Sequence, residues 1–280
     1  MVGYKAYRFD LTFRMEPWYL LEWMHYGSMR GSFATMEYWA LASGREQQEW
    51  LDLTGHAAAV FDWNLQKMLK AMCESSGTFN MKSLDHPSLL GLEPDYTVTF
   101  VESHDTYAPM KSLSERGILQ DKMLAYAYIL FQNGLPMVYY HDYYLQPYHN
   151  GTPDPYDSSR GWPTGYFGSP LKPQIDKAIW IRKQFLSGHP TYVVTNSAVQ
   201  GDLYVAIRDG GGVKSGGMLV LNDATSSRST TVLTPWISTT LRDAFTRDSA
   251  YDVTTTTNGA ASLTAAAKCY RVYVPVNALQ

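Results

Sequence analysis

From its start to about residue 190 the chain alternates short apolar runs with segments of helical period, and this rhythm limits the fold more than any other feature. Residues 6–11, 32–38, 57–62, 96–101 and 136–140 read as strands: each is short, apolar or alternating, and bounded by turn residues. Segments 16–26, 64–72 and 121–132 fall between them and read as helices, and 174–186 reads as one more. Pro17 sits where a helix start tolerates it, and Leu65, Met68, Leu69 and Met72 share one helical face. Strand–helix repetition predicts an α/β fold with a parallel sheet and crossover helices. From Thr191 the texture changes. Segments 203–208, 218–221 and 270–274 read as strands, Asp209-Gly-Gly-Gly212 as a turn, Thr is frequent and helical spacing nearly vanishes. That predicts a small antiparallel β-sandwich, with a domain of residues 1–190 followed by one of 191–280.

Composition narrows the function. Net charge is −3, with 23 Lys and Arg against 26 Asp and Glu and no like-charge run, which argues against a nucleic-acid groove or a polybasic membrane patch. Cys73 and Cys269 make no disulfide framework. The longest apolar run, 123–131, is far short of the ~20 residues of a membrane span. No signal peptide is visible at the start of the sequence. Aromatic residues reach 14%, with 21 Tyr and 8 Trp. Such amphipathic rings suit cores, interfaces and polyhydroxylated ligands alike.

Three acidic residues fall at the ends of predicted strands: Asp10 after Tyr7-Arg8-Phe9, Glu37 before Tyr38-Trp39, and Asp105 after Ser103-His104. Singly, each reads as a cap or turn residue. Together they gain meaning, because catalytic groups of parallel α/β sheets gather at the C-terminal ends of strands. Converging carboxylates suit glycoside hydrolysis, one as nucleophile and another as acid/base.

Arg8-Phe-Asp10, Thr35-Met-Glu37-Tyr-Trp39 and Phe100-Val-Glu-Ser-His-Asp105-Thr106 resemble, in that order, the motifs of the α-amylase family, glycoside hydrolase family thirteen. Gly134-Leu-Pro-Met-Val-Tyr-Tyr140 resembles the family's last barrel strand, and the chain from about 191 its C-terminal sandwich. The resemblance implies a retaining hydrolase of α-1,4-glucans. In it Asp10 would be the nucleophile, Arg8 its hydrogen-bonded partner, Glu37 the acid/base and Asp105, with His104, the grip on sugar hydroxyls. Tyr38, Trp39 and Arg14 would contact substrate. Met36, beside Glu37, would narrow the site or supply apolar surroundings.

The sequence also departs from the family. In the family the Arg-x-Asp motif ends the fourth strand of an eight-stranded barrel, whereas here it lies at residues 8–10. The expectation is an incomplete (β/α)8 barrel of about five βα units, without the first three strands and the inserted domain. A separate N-terminal half, self-association through open edges, or a truncated reading frame would each account for the gap. Calcium is usual in the family, but Phe13 and Arg14 replace its Lys-His pair, so no cofactor or metal is assigned. His141 and His149 lack a third ligand at useful spacing. The loop 142–170 carries Tyr143, Tyr144, Tyr148, Tyr156, Trp162, Tyr166 and Phe167, candidates for a sugar platform, and the sequon Asn150-Gly-Thr152. The expected partner is an α-glucan or maltooligosaccharide. A truncated carbohydrate-binding protein without activity, or one half of a split enzyme, stays open beside the hydrolase. The family resemblance suggests secretion.

Overall fold

The structure, a computed structural model, describes residues 4–39, 43–106, 117–118, 120–144 and 171–279. Its elements run β1 (Ala6–Phe9), α1 (Pro17–His25), β2 (Phe33–Met36), α2 (Gly44–Leu53), β3 (Ala59–Phe61), α3 (Trp63–Glu74), β4 (Thr97–Phe100), α4 (Lys122–Phe131), β5 (Leu135–Met137), α5 (Tyr140–Tyr144) and α6 (Lys172–Phe185). The strands of the last part follow: β6 (Thr191–Tyr192), β7 (Leu203–Arg208), β8 (Gly217–Asn222), β9 (Arg228–Leu233), β10 (Thr240–Asp243), β11 (Val253–Thr254), β12 (Ala260–Ala265) and β13 (Cys269–Pro275). Two compact units result. One holds the chain up to Met68 with Asp85–Phe100 and Gly134–Met137; the other holds Leu69–Leu84, Val101–Asn133 and the chain from Val138 on.

In the first unit β1 to β5 form one parallel sheet in chain order. Successive side chains of a strand point to opposite faces. On one face Phe9, Ala34, Met36 and Val60 pack with Leu20 and Met24 of α1 and Trp50 and Leu51 of α2. On the other, Ala59, Phe61, Val98 and Phe100 form a second cluster with Trp63. Both faces are therefore apolar, as a parallel sheet requires. Asp62 fastens this unit: its buried carboxylate accepts from Leu65 N at 2.9 Å, Ser88 Oγ at 2.6 Å and Leu90 N at 2.9 Å.

Helix α2 has no counterpart in the sequence reading. Its face of Gly44, Gln47, Trp50 and Leu51 is buried among charged neighbours, and Ser43 caps it by accepting from Glu46 N at 3.4 Å. Ser-x-x-Glu is the capping-box signature that marks such a start. The last strand of the sheet is also shorter than the expected 136–140, because α5 begins at Tyr140.

In the second unit six strands pair antiparallel in the order β11-β10-β13-β8-β7-β6, and β12 pairs with β9. Val205, Val220, Leu241 and Tyr273 of the larger sheet share one core with Val232 and Leu263 of the smaller. Every residue of β7 and β8 is buried. Helix α4 explains this, lying on β8 and β13 with Tyr128 packed edge-on against Tyr204, ring centroids 5.3 Å apart. The run Met123–Phe131, apolar all round, is buried all round.

Candidate active site

Strands β1 and β2 pair in register, Arg8 beside Thr35 and Phe9 beside Met36. The ladder continues past both strands: Glu37 N donates to Phe9 O and Thr12 N to Glu37 O, each at 2.9 Å. Register and alternation therefore set Asp10 beside Glu37, on the face that carries Arg8 and opposite the core of Phe9 and Met36.

One guanidinium joins the two acids. Arg8 Nη1 lies 2.7 Å from Asp10 Oδ1, and Nη2 lies 3.2 Å from Glu37 Oε2. Leu11 N donates to the same Glu37 oxygen at 3.4 Å. The acids differ in setting: the Asp10 side chain is 63% exposed and that of Glu37 only 4%. An exposed and a sealed carboxylate thus share one planar cation, whose fork of donors suits two oxygens at once. Arg8 also lies 6.0 Å from the Phe61 ring centroid, on the apolar face of the sheet.

The neighbouring candidates separate by strand parity. Tyr38 turns to α2: its hydroxyl donates to Glu46 Oε1 at 3.0 Å and its ring stacks on Trp50 at 4.9 Å. Burial, aided by Glu46, pushes its phenol up to about 12. Trp39 lies on the Glu37 face and stacks on Trp63 at 4.8 Å, within 15° of parallel. Met36 has the wrong parity to border the acid. It is fully buried in the helix-side core, so the expectation that it shapes the surroundings of Glu37 is corrected. Arg14 is exposed, its guanidinium 5.3 Å from the centroid of the Phe13 ring.

Asp105 and His104 belong to the second unit. His104 Nε2 lies 3.3 Å from Asp105 Oδ2, with His104 exposed and Asp105 half-buried. Their turn is closed by Ser103, whose hydroxyl accepts from Asp105 N at 3.2 Å and Thr106 N at 3.4 Å. Behind it lies a cluster that sequence reasoning missed. Lys122 Nζ donates to Glu102 Oε2 at 3.0 Å and to Asp142 Oδ1 at 2.6 Å, and Tyr126 donates to Asp142 Oδ2 at 2.7 Å. Burial pushes the Glu102 carboxyl upward; Lys122 opposes that shift and Asp142 adds to it. Burial alone would lower the Lys122 ammonium, but the two carboxylates outweigh it and the net shift is upward. Only Glu102, close behind an apolar strand, carried any sign of this in the sequence.

Among the described residues no group of three or more His, Cys, Asp or Glu is placed to hold a metal ion. Most of the aromatic loop, 145–170, lies outside the described residues, with Asn150, Trp162 and Tyr166 in it.

No family model matches the chain. An α-amylase of Bacillus licheniformis is 31% identical over 187 residues, which are 65% of this chain and 33% of that protein. Among solved structures, an Anoxybacillus α-amylase superposes with a TM-score of 0.66 at 15% identity, over 97% of this chain and 58% of its own. A cyclomaltodextrin glucanotransferase does so with a TM-score of 0.66 at 20% identity, over 98% and 57%. The chain thus spans about a third of the curated relative and rather more than half of the solved structures.

Proposed function

The chain is related to the α-amylase family in sequence and in fold, and from that kinship we propose that it works as a retaining glycosidase on α-1,4-glucosidic bonds of starch-like glucans. The observation that carries the proposal is the Arg8 bridge between an exposed and a buried carboxylate on adjacent strand ends. In this reading residues 1–190 are the C-terminal part of a (β/α)8 barrel and residues 191–280 a β-sandwich domain.

The chemistry follows from the two settings. Asp10, open to solvent, is the nucleophile. Its carboxylate oxygen bonds to the anomeric carbon as the bond to the leaving oxygen breaks, and Glu37 gives that oxygen its proton. Water enters next. Glu37 takes a proton from it, the water oxygen bonds to the anomeric carbon, and the ester to Asp10 breaks. Two inversions give retention, which needs carboxyl groups ~5 to 5.5 Å apart. Adjacent strands run ~4.8 Å apart, so registered neighbours at two strand ends support that spacing. Arg8 keeps both groups aimed at one point, and positioning of this kind is a large part of catalysis. The family resemblance assigns Asp105 and His104 to sugar hydroxyls, and Trp39 offers an aromatic surface on the Glu37 side.

Reducing-end release from soluble starch by the purified chain, beside Glu37→Gln and Asp10→Asn, tests this. Wild type should release reducing ends and Glu37→Gln should lose ~10²- to 10⁴-fold in kcat, the usual worth of general acid–base catalysis. A folded wild type that releases none, or variants as active as wild type, would reject the proposal.

A further inference from the structure

The Glu102–Lys122–Asp142–Tyr126 cluster takes no part in the chemistry above, yet it is a deeply buried ionic group of the second unit. Glu102 is 3% exposed, Asp142 and Tyr126 0%. It is also directional. Asp142 is bonded by Lys122 and by Tyr126, whose hydroxyl in turn accepts from Tyr139 N at 3.4 Å. Lys122 passes the tie to Glu102 Oε2. The other oxygen of Glu102 accepts from the Thr106 hydroxyl. That same hydroxyl oxygen accepts from Ser103 N at 2.9 Å. The chain of bonds therefore ends on both flanks of His104 and Asp105. The site is also shaped for Glu102: Gly117 lies so close that any side chain there would collide with the carboxylate, and Gly117 N donates to Thr106 O at 2.9 Å.

A buried cation shared by two acids is costly to desolvate and is poorly explained by stability alone. We propose that Glu102, Lys122 and Asp142 are positioning residues that hold the Ser103–Thr106 turn, so that Asp105 is presented in one fixed orientation. This rests on the reading of Asp105 as the third carboxylate. The arrangement acts through Thr106: Glu102 is rigid because both of its oxygens are engaged, and the turn is rigid because Thr106 is anchored to Glu102. A group held by packing and by a further layer of hydrogen bonds is what a fixed catalytic geometry needs.

The test uses the full chain with Thr106→Val, Lys122→Met and Lys122→Arg. Two readouts are taken: hydrogen exchange of the Ser103–Thr106 amides, with Leu203–Arg208 as internal reference, and starch turnover. Exchange in the turn should rise at least ~10-fold in Thr106→Val and Lys122→Met while the reference strand is unchanged, and Lys122→Arg should restore most of the protection. Turnover should fall at least ~10-fold in kcat with KM changed less than ~2-fold, the split expected when only the transition state is affected. Turn exchange at the wild-type rate in Thr106→Val overturns the proposal, and this variant is mild enough to fold if Lys122→Met is not. Asp105→Asn separates the two ideas. If it is as active as wild type, the reading of Asp105 fails whatever the turn does. If it is inactive while the loosened variants turn over normally, that reading stands and the positioning proposal falls.

Discussion

Two clusters in this protein have the same composition, one cation and two carboxylates, and opposite settings. Around Arg8 the acids are unequal: Asp10 is open and Glu37 sealed. Around Lys122 both acids are sealed, and the ammonium is largely buried with them. Ionic pairing alone therefore does not mark a reactive centre. Under the proposed function, a carboxylate that bonds to carbon has to be reachable, whereas one proposed to hold a turn is sealed. The choice of cation follows the same division. A planar guanidinium sets two oxygens at fixed angles, while an ammonium is a point charge that rotates its donors to whatever burial presents.

The largest effect that would sharpen this contrast is catalytic. Asp10→Asn and Glu37→Gln should each remove most turnover, with Glu37→Gln down ~10²- to 10⁴-fold, and both should melt close to wild type. The next effect is in stability. Lys122→Met leaves two carboxylates buried without their cation, and breaking such a group by removing one partner costs ~3 to 5 kcal/mol. Urea denaturation should show that loss. A loss below ~1 kcal/mol would mean that water or a protonated carboxyl already relieves the cluster, and the sealed centre would not be the rigid one.

Asp223 gives the contrast a third case, a carboxylate that is fully buried with no side-chain partner on either oxygen. Burial pushes its pKa up to about 7, against the pull of Lys268. The sign follows directly. Between the unfolded value of ~3.9 and about 7, the folded protein holds a proton that the unfolded chain has lost. The contribution is therefore full below ~pH 4 and is lost as pH rises through about 7. Asp223→Asn keeps a buried polar group but removes the charge, so it should be more stable than wild type at pH 8. Thermal melts from pH 4 to 8 should show the gap closing toward the acid end. A gap independent of pH would mean that Asp223 does not titrate in this window.

The Arg8 centre was legible in the sequence because both of its acids follow apolar strands, and strand parity then fixes their face. The same parity, applied strictly, also separates Tyr38 from Trp39 and turns Met36 inward. The Lys122 centre was not legible. Glu102, Lys122 and Asp142 lie 20 residues apart in succession, and no local period connects a post-strand residue, a helix start and a short helix. Helix α2 escaped for a different reason. Only Trp50 and Leu51 of its buried face are large and apolar; Gly44 and Gln47 fill the rest. Gln47 earns its burial by donating to Phe61 O at 2.8 Å, a contact no hydropathy pattern reports.

The smallest stability effect is the most demanding test of the comparison. Arg8→Lys keeps the charge and removes the fork. The Arg8 side chain is 38% exposed and Asp10 more so, and exposed pairs contribute only ~0 to 1 kcal/mol. The variant should therefore melt within ~1 kcal/mol of wild type. Its turnover should nonetheless fall, because one ammonium cannot hold Asp10 and Glu37 at the fixed angles that two guanidinium nitrogens set. Lys122→Arg reverses the demand: there a flexible stem and a compact head suit the buried space, so the wider guanidinium should cost some stability while it still bonds both acids. Measured together, the two exchanges should move activity at one centre and stability at the other. If Arg8→Lys unfolds the protein as readily as Lys122→Met, the open centre is holding the sheet together, and the division between a reactive and a supporting ionic cluster fails.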